Sequence, residues 1–363
     1  ATTGQGSVKS LKVSNTFTPP IGGTNDRPTA PQPGALYYNK DFRTIEYWDG
    51  KFWRQVDNTT RRGRAVTGMW ENASGTDLTN LDFVDIQSQG NAQNFGDLTV
   101  ARMGGASCSS STRGLWAGGN HSPTKDDEID YITIASECNA IDFGNLTSVT
   151  AEISGCSSST RGLFAGGQTP SNTNVIQYVE ISTIGNAVDF GDLRNGIHAT
   201  ISLSSSTRGF WAGGSPDGAD KVSYIDVVTI SSKGNAYDWG DLTKQRKEGA
   251  GASNSVRGVF AGGPYNDGWR DTIDYINLAS AGNAIDFGTL TVTRGHFGGA
   301  SDQTRAVFFA GRDFSDSPNV PRTNVIDYVE IATTGNAMDF GDCTGTYRGN
   351  TACSDSHGGL GGF

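Results

Sequence analysis

Cationic side chains are the scarce class in this sequence. Lysine and arginine number 28 against 38 aspartates and glutamates, a formal net charge of −10. That balance argues against a nucleic-acid partner, because gripping phosphates requires a basic face. No apolar run approaches the roughly 20 residues that cross a bilayer as a helix, so no membrane insertion is expected. No basic stretch followed by an apolar core opens the chain, so no secretory signal is read there. We read Ala1 as the residue left when an initiator methionine is removed before a small side chain. Cysteine is too sparse for a disulfide framework, with five residues, an odd number. Three of them, Cys108, Cys156 and Cys353, stand where other copies of the same segment hold Leu203, Ala252 and Ala300. A position that accepts Cys, Leu or Ala is a small apolar core site, so free buried thiols are expected rather than bridges. Helical periodicity is absent throughout.

Glycine is abundant at 50 residues, and Ser, Thr, Asn and Asp accompany it, a composition suited to many short strands joined by tight turns. Asp-Phe-Gly, a metal-binding triad in protein kinases, occurs at Asp142, Asp189, Asp286 and Asp339, with variants at Asn94-Phe95-Gly96 and Asp238-Trp239-Gly240. A catalytic ligand is not needed six times at even spacing, and neither a Gly-rich loop with a strand lysine nor a His-Arg-Asp segment accompanies it. The triad is therefore architecture. Two landmarks fix its period. One is the Gly-Asn-Ala turn at 90, 185, 234, 282 and 335, with Cys138-Asn139-Ala140 in the remaining copy. The other is an arginine opening an apolar run, at Arg64, Arg113, Arg161, Arg208, Arg257 and Arg305. Both give six units of about 48 residues.

Within the third unit, 153–159, 161–167, 174–183 and 187–193 read as four strands, the third alternating with period two. Four antiparallel strands repeated six times point to an all-β, six-bladed β-propeller. The aromatic of each triad is expected between neighbouring blades, its glycine at a bulge or close backbone approach. Its aspartate is expected on a nearby backbone group or on the repeated arginine. The first copy lacks a leading strand, and the chain ends with a surplus one. Residues of about 348–357 are therefore expected to supply the first copy's inner strand, covering an open edge.

The unit resembles the kelch repeat. The resemblance rests on Gly118-Gly119, Gly166-Gly167, Gly213-Gly214 and Gly262-Gly263, on Tyr131, Tyr178, Tyr275 and Tyr328, and on the last-strand aromatics. The first copy departs with Gly68-Met69 and the sixth with Ala310-Gly311. Ahead of the repeats, residues 1–33 read as an extended arm and 34–57 as a small aromatic β-meander; 58–363 hold the propeller. The meander resembles a module of tail fibres and other virion proteins of tailed bacteriophages, through Gly34, Leu36, Tyr37, Tyr38, Asn39, Tyr47, Trp48, Asp49, Gly50 and Trp53. The recurring GNAxDFGDLT resembles propeller arrays in virion proteins of phages that infect cyanobacteria.

These resemblances imply a non-enzymatic structural virion protein, oligomeric in the particle. Tyr37, Tyr38, Trp48 and Trp53 would anchor it to other virion proteins, and the propeller would meet a host-surface glycan or protein. A cellular kelch-type interaction module and a carbohydrate-active propeller enzyme are the alternatives. The loops between second and third strands vary most, and variable loops on a rigid scaffold carry binding. Tyr265, Asp267 and Trp269 are the candidates there, the two aromatics as exposed anchors. No cofactor or metal is expected. The four histidines, His121, His198, His296 and His357, fall in unlike places, and Asp126-Asp127-Glu128 fits no calcium-loop spacing.

Overall fold

The computed structural model describes residues 18–40, 44–48, 50–51, 53–55, 63–121, 123–216, 220–265, 268–269, 271–315 and 321–361. The chain is all-β and forms two compact units, residues 1–61 and 62–363.

The first unit is a four-stranded sheet. Ile21–Gly22 runs parallel to Leu36–Asn39, which pairs antiparallel with Thr44–Trp48, which pairs with Trp53–Gln55. The arm expected to run to residue 33 is thus partly built into the sheet. Polar ties hold it there. The Tyr37 hydroxyl donates to the Gly23 carbonyl at 3.0 Å, and the Arg27 guanidinium forks onto Glu46 at 2.8 and 2.5 Å. Tyr37 is buried, with its ring 5.7 Å from Trp53, which lies 5.7 Å from Trp48. Strand alternation puts Ile21, Leu36, Tyr38, Ile45 and Tyr47 on the other face, where all but the half-buried Tyr38 are exposed.

The second unit contains six four-stranded antiparallel motifs, one per sequence repeat. In the second repeat the strands are Ala106–Ser109, Arg113–His121, Thr124–Thr133 and Ile141–Asn145, paired in that order. The third to fifth repeats follow the same order, beginning at Ser154–Ser157, Ile201–Ser204 and Ala250–Ser253. The sixth begins at Gly298–Ser301, and its last strand, Met338–Arg348, also pairs with Trp70–Asn72 from the opposite end of the unit. In the first repeat, Thr351–Ser354 pairs antiparallel with Arg64–Gly68, the strand that counting the copies assigned to the chain's far end. Among the described residues no sheet closes on itself.

The hydrophobic core is divided among the seams between successive sheets. One cluster joins Leu115 and Phe143 of the second repeat to Phe164 and Ile181 of the third. Others link each repeat to the next, and a cluster with Val307, Phe340, Val84 and Ile86 joins the sixth to the first. The triad aromatics Phe95, Phe143, Phe190, Trp239, Phe287 and Phe340 are all buried in these seams. Most meet the third-strand aromatic edge to face, as Phe143 does with Tyr131 at 5.8 Å. Burying a ring of this size stabilises by about 2–3 kcal/mol relative to leaving it in water.

The rest of the GNAxDFGDLT consensus is the polar half of the same seam. The triad glycine sits at a bulge with positive φ: Gly288 has φ 153°, and a Cβ there would lie 2.3 Å from the Gly335 carbonyl oxygen of the next repeat. The asparagine of that next turn reaches back to accept from the backbone two residues beyond the triad aromatic, as Asn336 Oδ1 does from Thr289 N at 3.2 Å. The threonine ending the consensus donates to a third-strand carboxylate one repeat on. Thr243 donates to Asp274 at 2.8 Å, and Thr344 to Asp82 at 2.9 Å.

The triad aspartates are exposed; of the two partners expected for them, Asp142 takes the backbone one, and among the described residues no bond from a triad aspartate to a repeated arginine is formed. Asp142 accepts from Gly144 N at 3.0 Å, and Asp238 pairs with Arg194 at 2.7 Å. The repeated arginines are engaged elsewhere. Arg113 lies 4.8 Å over the Tyr131 ring and donates to the Ile181 carbonyl of the next repeat at 3.0 Å. Arg305 lies over Tyr328 and donates to Ile86, returning to the first repeat. Two of these arginines also take a third-strand glutamate, Glu180 for Arg161 and Glu330 for Arg305, each at 2.8 Å.

Candidate binding cavity

The first strand of each repeat is the innermost, and the six strands surround a cavity of ≈ 170 Å³. Its walls carry small side chains such as Ser107, Gly155, Ser202, Gly251 and Gly299. Near one end, the last serine of each strand donates its hydroxyl to the carbonyl of its counterpart in the adjacent strand. Ser157 donates to Ser109, Ser204 to Ser157, Ser253 to Ser204 and Ser301 to Ser253, all at 2.7–2.8 Å. Ser354 donates to Ser301 and Ser109 to Ser354, so the circuit returns to its start.

At that end the segment after Ser354 lies across the strand tips. His357 is half-buried there. Its Nδ1 accepts from Gly359 N at 3.1 Å, and its Nε2 faces the Ser109 carbonyl at 3.1 Å. Burial pushes its pKa down to about 4, against the opposing bond to that carbonyl. Gly359 fits only for want of a side chain, since a Cβ would lie 1.9 Å from the Ser157 oxygen.

A second circuit of backbone bonds rings the other end. Gly104, Glu152, Ala199, Glu248, His296 and Gly349 hold one equivalent position in the six repeats, all with φ between 53° and 75°. Each donates its N–H to the carbonyl of the one before, from Glu152 donating to Gly104 at 2.6 Å round to Gly104 donating to Gly349 at 2.9 Å. Four of the six are not glycine, and each non-glycine residue in this region costs about 1–2 kcal/mol. Such strain, concentrated at one rim, commonly accompanies a site.

Three of those residues aim charge-bearing side chains at the rim. Glu248 meets His296 Nε2 at 2.7 Å and Lys247 at 2.9 Å. Burial would raise its carboxyl, but the bond and charge of His296, then Lys247, hold it at about 2. Glu152 has His198 Nε2 at 3.4 Å. Burial lowers the His198 pKa, with the charge of Glu152 opposing. The rim thus offers carboxylates and imidazoles above walls of hydroxyls and backbone, a setting for a small polar ligand. Among the described residues no group of three or more His, Cys, Asp or Glu side chains is placed to hold a metal ion.

The loop residues singled out from the sequence are not exposed anchors together. Tyr265 is buried, 6% exposed, with its hydroxyl 3.3 Å from Arg246 and its ring beside that guanidinium. The loop folds back as a two-stranded hairpin, Pro264–Tyr265 with Gly268–Trp269, which turns Tyr265 inward. Asp267 and the Trp269 side chain lie outside the described residues. Asp126 and Glu128 flank a cation: Arg102 Nη1 is 4.0 Å from each, and Arg102 Nη2 is 3.0 Å from Asp130.

Arg102, Arg246 and Arg294 went unremarked in the sequence. All three are fully buried and pair with the third-strand aspartates Asp130, Asp274 and Asp327 at 3.0, 2.8 and 2.8 Å. Their signal was present as arginine two residues before the rim position in three of six copies, but a half-filled column reads as surface variation. The rim column, occupied by Gly, Glu, Ala, Glu, His and Gly, carries no sequence consensus at all. Comparison with protein-family models and with curated proteins finds no match to this chain.

Proposed function

We propose that the six sheets are blades of a kelch-like six-bladed β-propeller closed by Thr351–Ser354, and that the chain is a non-enzymatic structural protein of a tailed-bacteriophage virion. The observation that carries the propeller reading is the pair of hydrogen-bond circuits, serine and backbone, that pass once through all six repeats and return. In the virion reading, the N-terminal sheet is the anchor. It is a separate compact unit that buries Tyr37 against Trp53 and presents Ile21, Leu36, Ile45 and Tyr47 to a partner. The propeller is the displayed part, and the variable loops with the cavity rim are its contact surface. Most of the repeated side chains hold seams together, which suits a rigid spacer or receptor-binding head. The test is mass spectrometry and antibody-labelled electron microscopy of purified particles. Labelling at one structural position on intact particles is expected; absence of the chain from them would overturn the reading. A glycan panel with a hydrolysis assay would separate binding from turnover.

A further inference from the structure

The rim contact between Glu152 and His198 is short of a hydrogen atom. The Asn172 amide donates to the Ser215 and Pro216 carbonyls at 3.1 and 2.5 Å, which fixes its NH₂ on that side. Its Oδ1 therefore faces His198 Nδ1, at 3.0 Å. An amide oxygen only accepts, so Nδ1 carries a proton, and a neutral His198 has a bare lone pair at Nε2. That lone pair points at Glu152 Oε2 across 3.4 Å. Oε2 is enclosed and has no donor, and the His198 side chain is itself only 3% exposed. Two acceptors thus face each other too closely for a water to sit between them, while the Glu152 side chain as a whole is 39% exposed.

We infer that Glu152 and His198 form a proton-operated latch across the seam between the third and fourth repeats. One proton taken from solvent onto Nε2 turns the opposed lone pairs into an Nε2–H···Oε2 bond with opposite charges, and Glu152 is clamped against the wall. Without that proton the contact repels. Glu152, already in the left-handed region at φ 53°, turns its carboxylate into the cavity mouth. The other charges facing His198 are Lys125, Lys247 and Glu248. Lys125 donates to the Gln168 carbonyl at 2.9 Å, and Lys247 and Glu248 are bound to each other. Glu248 has Lys247 as well as His296 for a partner, whereas among the described residues the ion-pair partner of Glu152 is His198 alone, so its compensation follows that imidazole. Burial holds His198 below its ordinary value of 6.5, so the latch is open at neutrality and closes only on acidification below that value.

The test is a pH titration of ring-¹⁵N histidine by NMR in the wild type, Glu152→Gln and Asn172→Ala, with His198 assigned through His198→Gln. At neutral pH the wild type should show His198 as the Nδ1–H tautomer. In Glu152→Gln a neutral amide donor replaces the carboxylate, and the His198 pKa should fall by about one unit, a tenfold loss of proton affinity. In Asn172→Ala the ring should switch to the Nε2–H tautomer and bond Glu152 without an added proton. An Nε2–H tautomer in the wild type, or the same His198 pKa in the wild type and Glu152→Gln, would overturn the latch. Both substitutions are read in the folded protein through the remaining histidine signals, so a variant that unfolds is recognised as such. The outcome does not depend on the virion reading.

Discussion

Gly288 and Gly335 face each other across one seam, and the geometry assigns them opposite tolerances. Gly288 follows the triad aromatic Phe287, has φ 153°, and has the Gly335 carbonyl oxygen 2.3 Å from where a Cβ would stand. Gly335 opens the Gly-Asn-Ala turn and has nothing within 4 Å of its own Cβ position. Gly288→Ala must therefore either push the next repeat's turn away or give up the bulge. Positive φ costs an L-residue about 1–2 kcal/mol, and a backbone collision of this kind adds about 1–3 kcal/mol. The sum is about 2–5 kcal/mol. Displacing the turn would also weaken the Gly335 N–H bond to Phe287 O and the Asn336 bond to Thr289 N. Gly335→Ala should stay within about 0.5 kcal/mol, as open surface substitutions do. Urea unfolding of both variants, with m compared to confirm an unchanged transition, measures the difference. Equal effects, or a Gly288→Ala protein as stable as the wild type, would refute the account of the seam.

Other expectations follow from the same structure. Asp274→Ala leaves the fully buried Arg246 without its carboxylate and should cost about 3–5 kcal/mol in a denaturant titration. Ser301→Ala breaks one link of the serine circuit and strips the Ser253 carbonyl of its donor, an expected loss of about 1 kcal/mol by the same titration. In the folded protein Cys138, the exposed thiol, should react with a thiol reagent, while Cys108, Cys156, Cys343 and Cys353 react only after unfolding. Burial supports this by raising the Cys156 pKa above the ordinary range and pushing Cys353 up to about 12. His357 is held at about 4 in the folded chain against an ordinary 6.5, so the unfolded state binds more protons between those values. Stability should fall as pH drops from 6.5 to 4, and His357→Gln should flatten that part of a melting-temperature profile.

What could be read ahead of the structure was whatever the sequence repeats. Six copies, four strands each, the seam aromatics and the strand supplied by Thr351–Ser354 all follow from periodicity, because packing one unit on the next constrains the same columns each time. The triad glycine was read correctly as a bulge, but its partner, a carbonyl one repeat away, lies beyond pattern reasoning. The aspartate–arginine pairing failed because matching copy number is not proximity: Arg113 finds a ring and a carbonyl first. Tyr265 was taken as exposed because loops usually are, whereas the hairpin at Pro264–Tyr265 folds its ring toward Arg246. The rim residues were invisible because their shared property is a backbone angle, which side-chain identity from Gly to His does not report.

The pairing of Thr351–Ser354 with Arg64–Gly68 also sets a clock on biosynthesis. At about 5–20 residues per second, the ribosome needs roughly 15–60 s after making the earlier strand to deliver its partner. For all of that time Arg64–Gly68 presents a bare, apolar ladder edge to its surroundings, and five later repeats can pile up beside it. A nascent chain stalled before residue 351 should be captured by holdase chaperones, and release should coincide with the arrival of those four residues.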